Sequence, residues 1–176
     1  MERVVNNLLD TARQESGMLQ LKTDWCDIED MVGSAWRRIS ERKQTHTLIT
    51  KLPETVPLLR ADCVLLEQVL INLLDNAIKY SPQGSPITVS AAQDGSQVVL
   101  SVRDEGPGIG KEDRERIFEK FYRAPQVRKV SGTGLGLSIC KGIVEAHKGV
   151  IWAENHPDGG AQISIRLPVS SDGTNP

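Results

Sequence analysis

Leu70-Ile71-Asn72-Leu73-Leu74-Asp75-Asn76-Ala77-Ile78-Lys79-Tyr80 is the stretch on which the reading of this chain turns. It closes a helical pattern predicted over Asp62 to Tyr80. Leu66, Val69, Leu70, Leu73 and Ala77 recur at steps of three and four and form the arc to be buried. Ser81-Pro82-Gln83-Gly84 ends the pattern with turn chemistry. Asn72, Asn76 and Lys79 stand at i, i+4 and i+7 and share one strip. That strip lies on the shoulder of the apolar arc, where a cleft would be. Two amides and one ammonium can hold an oxygen-coordinated divalent cation and a phosphate together. Taken alone, a solvated polar face is the plainer reading of such a strip.

Downstream, Ile87 to Ala92 and Val98 to Arg103 alternate as strands, with Asp94-Gly95 as the hairpin signal between them. Asp104-Glu105-Gly106-Pro107-Gly108-Ile109-Gly110 follows directly. A carboxylate at a strand end can accept from an exocyclic amine such as adenine N6, and the glycines permit close backbone approach. An ordinary glycine–proline turn is the alternative. The chain from Asp104 to Gly136 is rich in glycine and charge, with a short helical patch near Asp113 to Phe121. A connection that long is functional or disordered. Gly132-Thr133-Gly134-Leu135-Gly136-Leu137 then opens a helix predicted over Leu135 to His147 and stopped by Gly149. Free N–H groups at a helix start make an anion cradle. It is not a P-loop, because no Lys-Ser/Thr follows, and not a dinucleotide fingerprint, because Leu137 replaces the third glycine. Val150 to Glu154 and Ala161 to Leu167 read as a closing hairpin around Pro157-Asp158-Gly159-Gly160.

Upstream, Leu19 to Cys26 reads as a strand. Asp27 caps a helix with Ile28, Met31, Val32, Ala35, Trp36 and Ile39 on one face. Thr45 to Leu52 and Val56 to Ala61 read as two strands joined by a turn at Pro53. Val4, Val5, Leu8, Leu9 and Ala12 give Met1 to Gly17 helical spacing, as the tail of a longer helix or a terminal helix folded on its own domain. The mixture without regular βαβ alternation predicts an α+β two-layer sandwich, a mixed and mostly antiparallel sheet with helices packed on one face.

The 176 residues suit one domain with a short attachment. A net charge of −2 lacks the basic footprint of a duplex nucleic-acid binder, and 4% aromatics leave few stacking platforms for single strands. Cys26, Cys63 and Cys140 form no CxxC pair, and with three histidines they complete no zinc spacing. They read as free thiols of a reducing compartment. No apolar run reaches membrane-spanning length, and the first residues do not form a signal peptide.

The three motifs in this order resemble the catalytic and ATP-binding domain of bacterial sensor histidine kinases, which carry the Bergerat nucleotide fold also found in gyrase and MutL. Leu70 to Tyr80 resembles the N box, Asp104 to Gly108 the first glycine box, Ile117-Phe118-Glu119-Lys120-Phe121-Tyr122-Arg123 the F box, and Gly132 to Leu137 the second glycine box. The likeness runs from about Leu19 to Pro168. Val4-Val5-Asn6-Asn7-Leu8-Leu9-Asp10 also resembles the end of the dimerisation helix of potassium-responsive, Kdp-type sensor kinases.

The resemblance implies roles. Asn76 would give an amide oxygen to Mg²⁺, Asn72 would sit beside the phosphates of ATP, Lys79 would contact phosphate, and Arg123 is a candidate for the γ-phosphate. Tyr80 would pack at the nucleotide, Asp104 would read adenine N6, and Gly106, Gly108 and Ile109 would admit the base. Phe118 would pack a lid or simply the core. Gly132, Thr133, Gly134, Leu135, Gly136 and Leu137 would close over the phosphates. Implied domains are residues 1–18 as the end of a dimerisation and phosphoacceptor helix, 19–168 as the catalytic ATP-binding domain with a lid at about 105–131, and 169–176 as a disordered tail. His46, His147 and His156 lack the acidic neighbour of an acceptor motif. The implied partners are therefore a dimerisation domain of the same full-length protein, which would be a homodimer, and a response regulator. The expected setting is cytoplasmic, as part of a membrane-anchored sensor, with no membrane contact by this chain. A hydrolytic ATPase of the same fold and a non-catalytic nucleotide-binding module are the rival readings. Hydrolytic relatives carry a glutamate where this chain has Asn72.

Overall fold

The computed structural model describes residues 20–39, 46–55, 57–125 and 132–169. The expected helix at 1–18 lies outside them, as do residues 170–176. Strand β1 (Asp24–Cys26) leads into α1 (Ile28–Arg38), followed by β2 (Thr47–Lys51), β3 (Leu59–Ala61), α2 (Cys63–Tyr80), β4 (Pro86–Asp94), β5 (Gln97–Arg103), α3 (Gly136–Ala146), β6 (Val150–Asn155) and β7 (Ala161–Pro168). Five strands form one sheet in the order β2-β4-β5-β7-β6. Only the β2–β4 ladder in it is parallel. The expected α+β sandwich with a mixed, mostly antiparallel sheet is the architecture found.

Alternation places Ile87, Val89 and Ala91 of β4, Val98, Leu100 and Val102 of β5, and Ile163, Ile165 and Leu167 of β7 on the helix-facing side. Leu66, Val69, Leu70, Leu73, Leu74 and Ala77 of α2 lie among the same buried residues, as do Ile139, Ile143 and Val144 of α3. Fully burying one such side chain is worth about 1.5–3 kcal/mol, so this contact fixes where α2 sits and which edge of it stays open. Asp27 caps α1 by accepting from the Glu29 and Asp30 N–H groups. Asp62 caps α2 by accepting from Leu65. His147 joins the two helices that matter for the site. Its Nδ1 donates to the Ile143 carbonyl at 2.8 Å, and its Nε2 accepts the Asp62 N–H at 3.0 Å. Burial and two satisfied ring nitrogens give this histidine the structural role expected of it.

Three expectations are corrected. The strand expected over Leu19 to Cys26 is only three residues long. The two segments around Pro53 do not pair with each other: β2 runs parallel to β4 and β3 pairs with β1. The His46 imidazole, which donates to the Ser85 carbonyl at 2.9 Å, ties the start of β2 beside β4 instead. Cys26 and Cys63 are joined in a disulfide, their Cα atoms 5.5 Å apart, so only Cys140 is a free thiol. The β1–β3 ladder and the start of α2 bring those two cysteines together across 37 residues of sequence.

Candidate functional site

The open shoulder of α2, the loop after β5 and the glycines before α3 enclose one cleft. At one end stands Asp104, immediately after β5 and 8% exposed. Its Oδ1 accepts from the Gly106 N–H at 2.7 Å and the Ala161 N–H at 3.1 Å. Among the described residues no donor is directed at Oδ2. Burial raises the Asp104 pKa above its ordinary 3.8, and the two backbone N–H groups and nearby Arg103 offset part of that. The loop is packed closely enough to exclude side chains. A Cβ on Gly106 would come within 2.6 Å of the Tyr80 carbonyl oxygen, and one on Gly160 (φ +81) within 1.9 Å of the Asp104 carbonyl oxygen.

At the other end, Asn72, Asn76 and Lys79 all line the cleft, as the shared helical strip predicts. Asn72 is 2% exposed, and neither its amide oxygen nor its nitrogen has a hydrogen-bond partner among the described residues. The Cys140 thiol lies beside it without a hydrogen bond that satisfies either amide atom, and burial pushes the thiol pKa up to about 12, with nearby Asn72 partly countering. Lys79 Nζ lies 2.7 Å from Asp75 Oδ2, a carboxylate only 1% exposed. Sequence reasoning passed over Asp75, although its i,i+4 spacing to Lys79 was a usable signal. Burial raises the Tyr80 pKa, with Arg123 opposing and Asp75 adding to the shift.

Gly132, Thr133, Gly134, Gly136 and Leu137 line this end, and Arg123 reaches it from the F box. Of the residues expected around the ligand, Gly108 and Ile109 also line the cleft. Gly106, Phe118 and Leu135 do not. Gly106 is pressed behind the wall, and Phe118 and Leu135 are core residues at 8% and 1% exposure. For Phe118 the plain packing alternative is the one found. Phe121 adopts φ 63, costly for an aromatic residue, and is held there by its N–H donating to the Gly134 carbonyl at 2.9 Å. Tyr122, a lining residue given no role from the sequence, donates its hydroxyl to buried Asp113, and the Arg116 guanidinium lies 4.3 Å over its ring.

The division of chemistry is sharp. Among the described lining residues the one carboxylate is Asp104, and the far end offers amides, lysine, arginine and glycine N–H groups. No cluster of three or more His, Cys, Asp or Glu among the described residues could hold a metal. A divalent cation here would need oxygen ligands from asparagine and from an anionic ligand. The buried, unpartnered Asn72 amide and the adjacent Asn76 fit that chemistry.

A family model described as histidine kinase-, DNA gyrase B-, and HSP90-like ATPase matches residues 61–171. Sensor protein KdpD of Escherichia coli strain K12 is 43% identical over 166 residues, which are 94% of this chain and 18% of that protein. The chain thus spans about a fifth of that relative. Among solved structures, the catalytic domain of histidine kinase ThkA is 30% identical with a TM-score of 0.74, covering 84% of this chain and 96% of that one. ThkA in complex with response regulator protein TrrA aligns over 96% of this chain and 49% of that one, at 25% identity and a TM-score of 0.76. Full-length ShkA in complex with AMPPNP aligns over 95% and 35%, at 29% identity and 0.83. With the carboxylate, the asparagine strip and the two glycine boxes assembled around one cleft, the chain belongs to the histidine kinase-, DNA gyrase B- and HSP90-like ATPase family, in its sensor histidine kinase branch.

Proposed function

We propose that this chain binds Mg²⁺-ATP and transfers the γ-phosphoryl group to a histidine on a dimerisation helix, for relay to an aspartate of a response regulator. The ionised Asp104 would accept from adenine N6 through Oδ2, and Ile109 and Val102 would pack on the base. Asn72, Lys79 and Arg123 would face the phosphates, with Asn76 as the protein ligand to Mg²⁺. A cation bound there would supply charge neutralisation for the phosphates. Lys79 brings its ammonium already oriented by Asp75. The glycine N–H groups at the start of α3 meet phosphate oxygens without side chains in the way.

One observation carries the choice of transfer over hydrolysis. Among the described residues the phosphate end holds no carboxylate that could take a proton from water, since Asn72 is neutral and Asp75 is tied to Lys79. General-base help is worth typically 10²–10⁴-fold, and water here would go without it. The names of the relatives support the reading, as does the ThkA–TrrA complex for the regulator. The full-length protein would be a homodimeric sensor with this domain in the cytoplasm. Among the described residues no helix is long and apolar enough to cross a membrane. Residues 1–18 would end the dimerisation helix and 19–168 form the ATP-binding domain. The lid expected at about 105–131 would belong to this domain; its residues 126–131 lie outside the described residues, and Ile109, Phe118 and Ala124 are packed against the body. The test is labelled ATP with and without an added helix fragment bearing an acceptor histidine. Label on the fragment supports transfer. Fast release of phosphate with no label on the helix would establish the hydrolytic rival, and ATP binding with neither outcome the binding module.

A further inference from the structure

We propose that Asn155 is a positioning residue of the base site, clamping the loop from Asp104 to Ile109 by pairing with the Ile109 peptide. The inference rests on the ATP reading above. The last rung of the β6–β7 ladder pairs Asn155 with Ala161. Each half of that rung holds one end of the loop. Ala161 donates to Asp104 Oδ1 at 3.1 Å and accepts the Asp104 N–H at 2.9 Å. Across the rung, the Asn155 side chain accepts the Ile109 N–H at 2.8 Å and donates from Nδ2 to the Ile109 carbonyl at 3.1 Å.

A primary amide carries one acceptor and one donor at the spacing of a peptide group, so it can satisfy both backbone groups of one residue at once. The two bonds also fix which way the amide points. Contact between loop and clamp is direct: a Cβ on Gly108 (φ +78) would lie 3.0 Å from the Asn155 amide. Pro107, Gly108 and Ile109 form the cleft wall beside Asp104. With both ends held, the wall is set before the base arrives. With the Ile109 end released, ordering it becomes a cost of binding. Asn155 itself is exposed, so removing it leaves the core intact. That separates a positioning role from a structural one.

The test compares Asn155→Ala with wild type in the full chain. It reads amide hydrogen exchange at Ile109 and calorimetry with ATP and with inorganic tripolyphosphate. Exchange at Ile109 should speed up, and ATP affinity should fall about 5- to 10-fold, the worth of about one net hydrogen bond. Tripolyphosphate affinity and the thermal midpoint without nucleotide should stay unchanged. Asn155→Asp keeps an acceptor for the Ile109 N–H but sets a carboxylate against the Ile109 carbonyl. It should restore protection of that amide and recover only part of the ATP affinity. Unaltered ATP affinity in Asn155→Ala, or an equal fall for tripolyphosphate, would overturn the proposal. A wild-type chain that binds no ATP would overturn the ATP reading itself, an outcome the exchange rate at Ile109 does not touch.

Discussion

The two ends of the cleft are built on opposite plans. At the carboxylate end the groups that build the wall are already engaged, with only Asp104 Oδ2 left open: Asp104 Oδ1 by two backbone donors, Ile109 by the Asn155 amide, and Gly106 and Gly160 by backbone approach that excludes a side chain. At the amide end, Asn72 is buried with both polar atoms unpartnered, and Phe121 sits at a costly φ opposite Gly134. An orphaned buried amide costs about 1–3 kcal/mol. The first end is therefore preorganised by the protein alone, and the second is completed by what binds. On the proposed function, such an arrangement would read the base with a rigid surface and reserve strain and unmet bonding for the phosphates, where charge would shift during transfer.

The largest effect should come from the unfinished end. Asn76→Ala removes the protein oxygen proposed for the cation and leaves phosphate charge uncompensated. Transfer to an added acceptor helix should fall by about 10²–10³-fold, with adenosine binding untouched, as followed by labelling and calorimetry. Loss of adenosine binding in the same variant would show that the ends are not separable. Lys79 gives a smaller step. Asp75→Asn leaves the ammonium without its buried partner, but Lys79 is 28% exposed and can turn to water, so the cost should stay below that of breaking a fully buried pair, about 3–5 kcal/mol. Both the thermal midpoint and ATP affinity should drop, while Asp75→Asn combined with Lys79→Met should recover the midpoint and not the affinity.

Asp104 tests the finished end. A hydrogen bond to a charged group is worth roughly 1.5–3 kcal/mol, so Asp104→Ala should weaken ATP and ADP alike by roughly 10- to 150-fold. The pH dependence has two opposed signs. Because burial raises this carboxyl above its ordinary 3.8, the folded chain holds the proton more tightly than the unfolded one. Its contribution to stability is present below the unfolded value and is lost as pH rises through the raised folded value. At neutral pH the ionised group opposes folding. Asp104→Asn, which keeps an acceptor for Gly106 and Ala161, should then raise the thermal midpoint while turning a donor toward adenine N6 and abolishing tight ATP binding. ATP affinity of the wild type should decline as pH falls through the raised value, because the protonated acid is a poorer acceptor. A midpoint that falls in Asp104→Asn at neutral pH would contradict the role given to burial.

What the sequence made legible follows the reach of its signals. Periodicity located α2 to the residue at its C-terminal end, and helical spacing put Asn72, Asn76 and Lys79 on one strip because 3.6-residue geometry is local. The two glycine boxes were recognisable as motifs. Partnership was not legible. Thr47–Lys51 and Leu59–Ala61 have strand patterns, but nothing local says that one joins β4 and the other β1. Cys26 and Cys63 look like isolated thiols until that pairing sets them side by side. Asn155 escaped notice for the same reason, since its partner lies 46 residues away. Gly149 was expected as a helix stop through its conformational freedom, yet Lys148 takes the left-handed turn (φ 59). Gly149 is there because a Cβ would come within 2.4 Å of the Arg166 carbonyl oxygen.

The glycines before α3 provide the finest test, because the motif treats them alike and the structure does not. Gly134 has φ +72, and a Cβ on it would lie 2.7 Å from the Phe121 carbonyl carbon. Gly134→Ala should cost about 1–2 kcal/mol for the left-handed conformation alone, with a further loss from displacing Phe121. A 5- to 30-fold weaker ATP affinity, roughly that energy converted, is the expected reading. Gly136 opens α3, and a Cβ there would meet only Asn72 at 3.8 Å, an ordinary contact. Alanine favours a helix by about 0.8–1.0 kcal/mol over glycine in a helix interior and by less at its first residue. Gly136→Ala should therefore leave the unliganded chain as stable or slightly more so, and any loss should appear only with phosphate bound. Gly132 has open space around it and no left-handed φ, so Gly132→Ala should stay within about 0.5 kcal/mol of wild type in stability and change ATP affinity least of the three. Thermal midpoints and ATP titrations of the three variants would show the ranking. Equal losses at all three positions would mean that phosphate contact, rather than the backbone fit against Phe121, requires these glycines, and the contrast between a finished and an unfinished end would then rest on Asn72 alone.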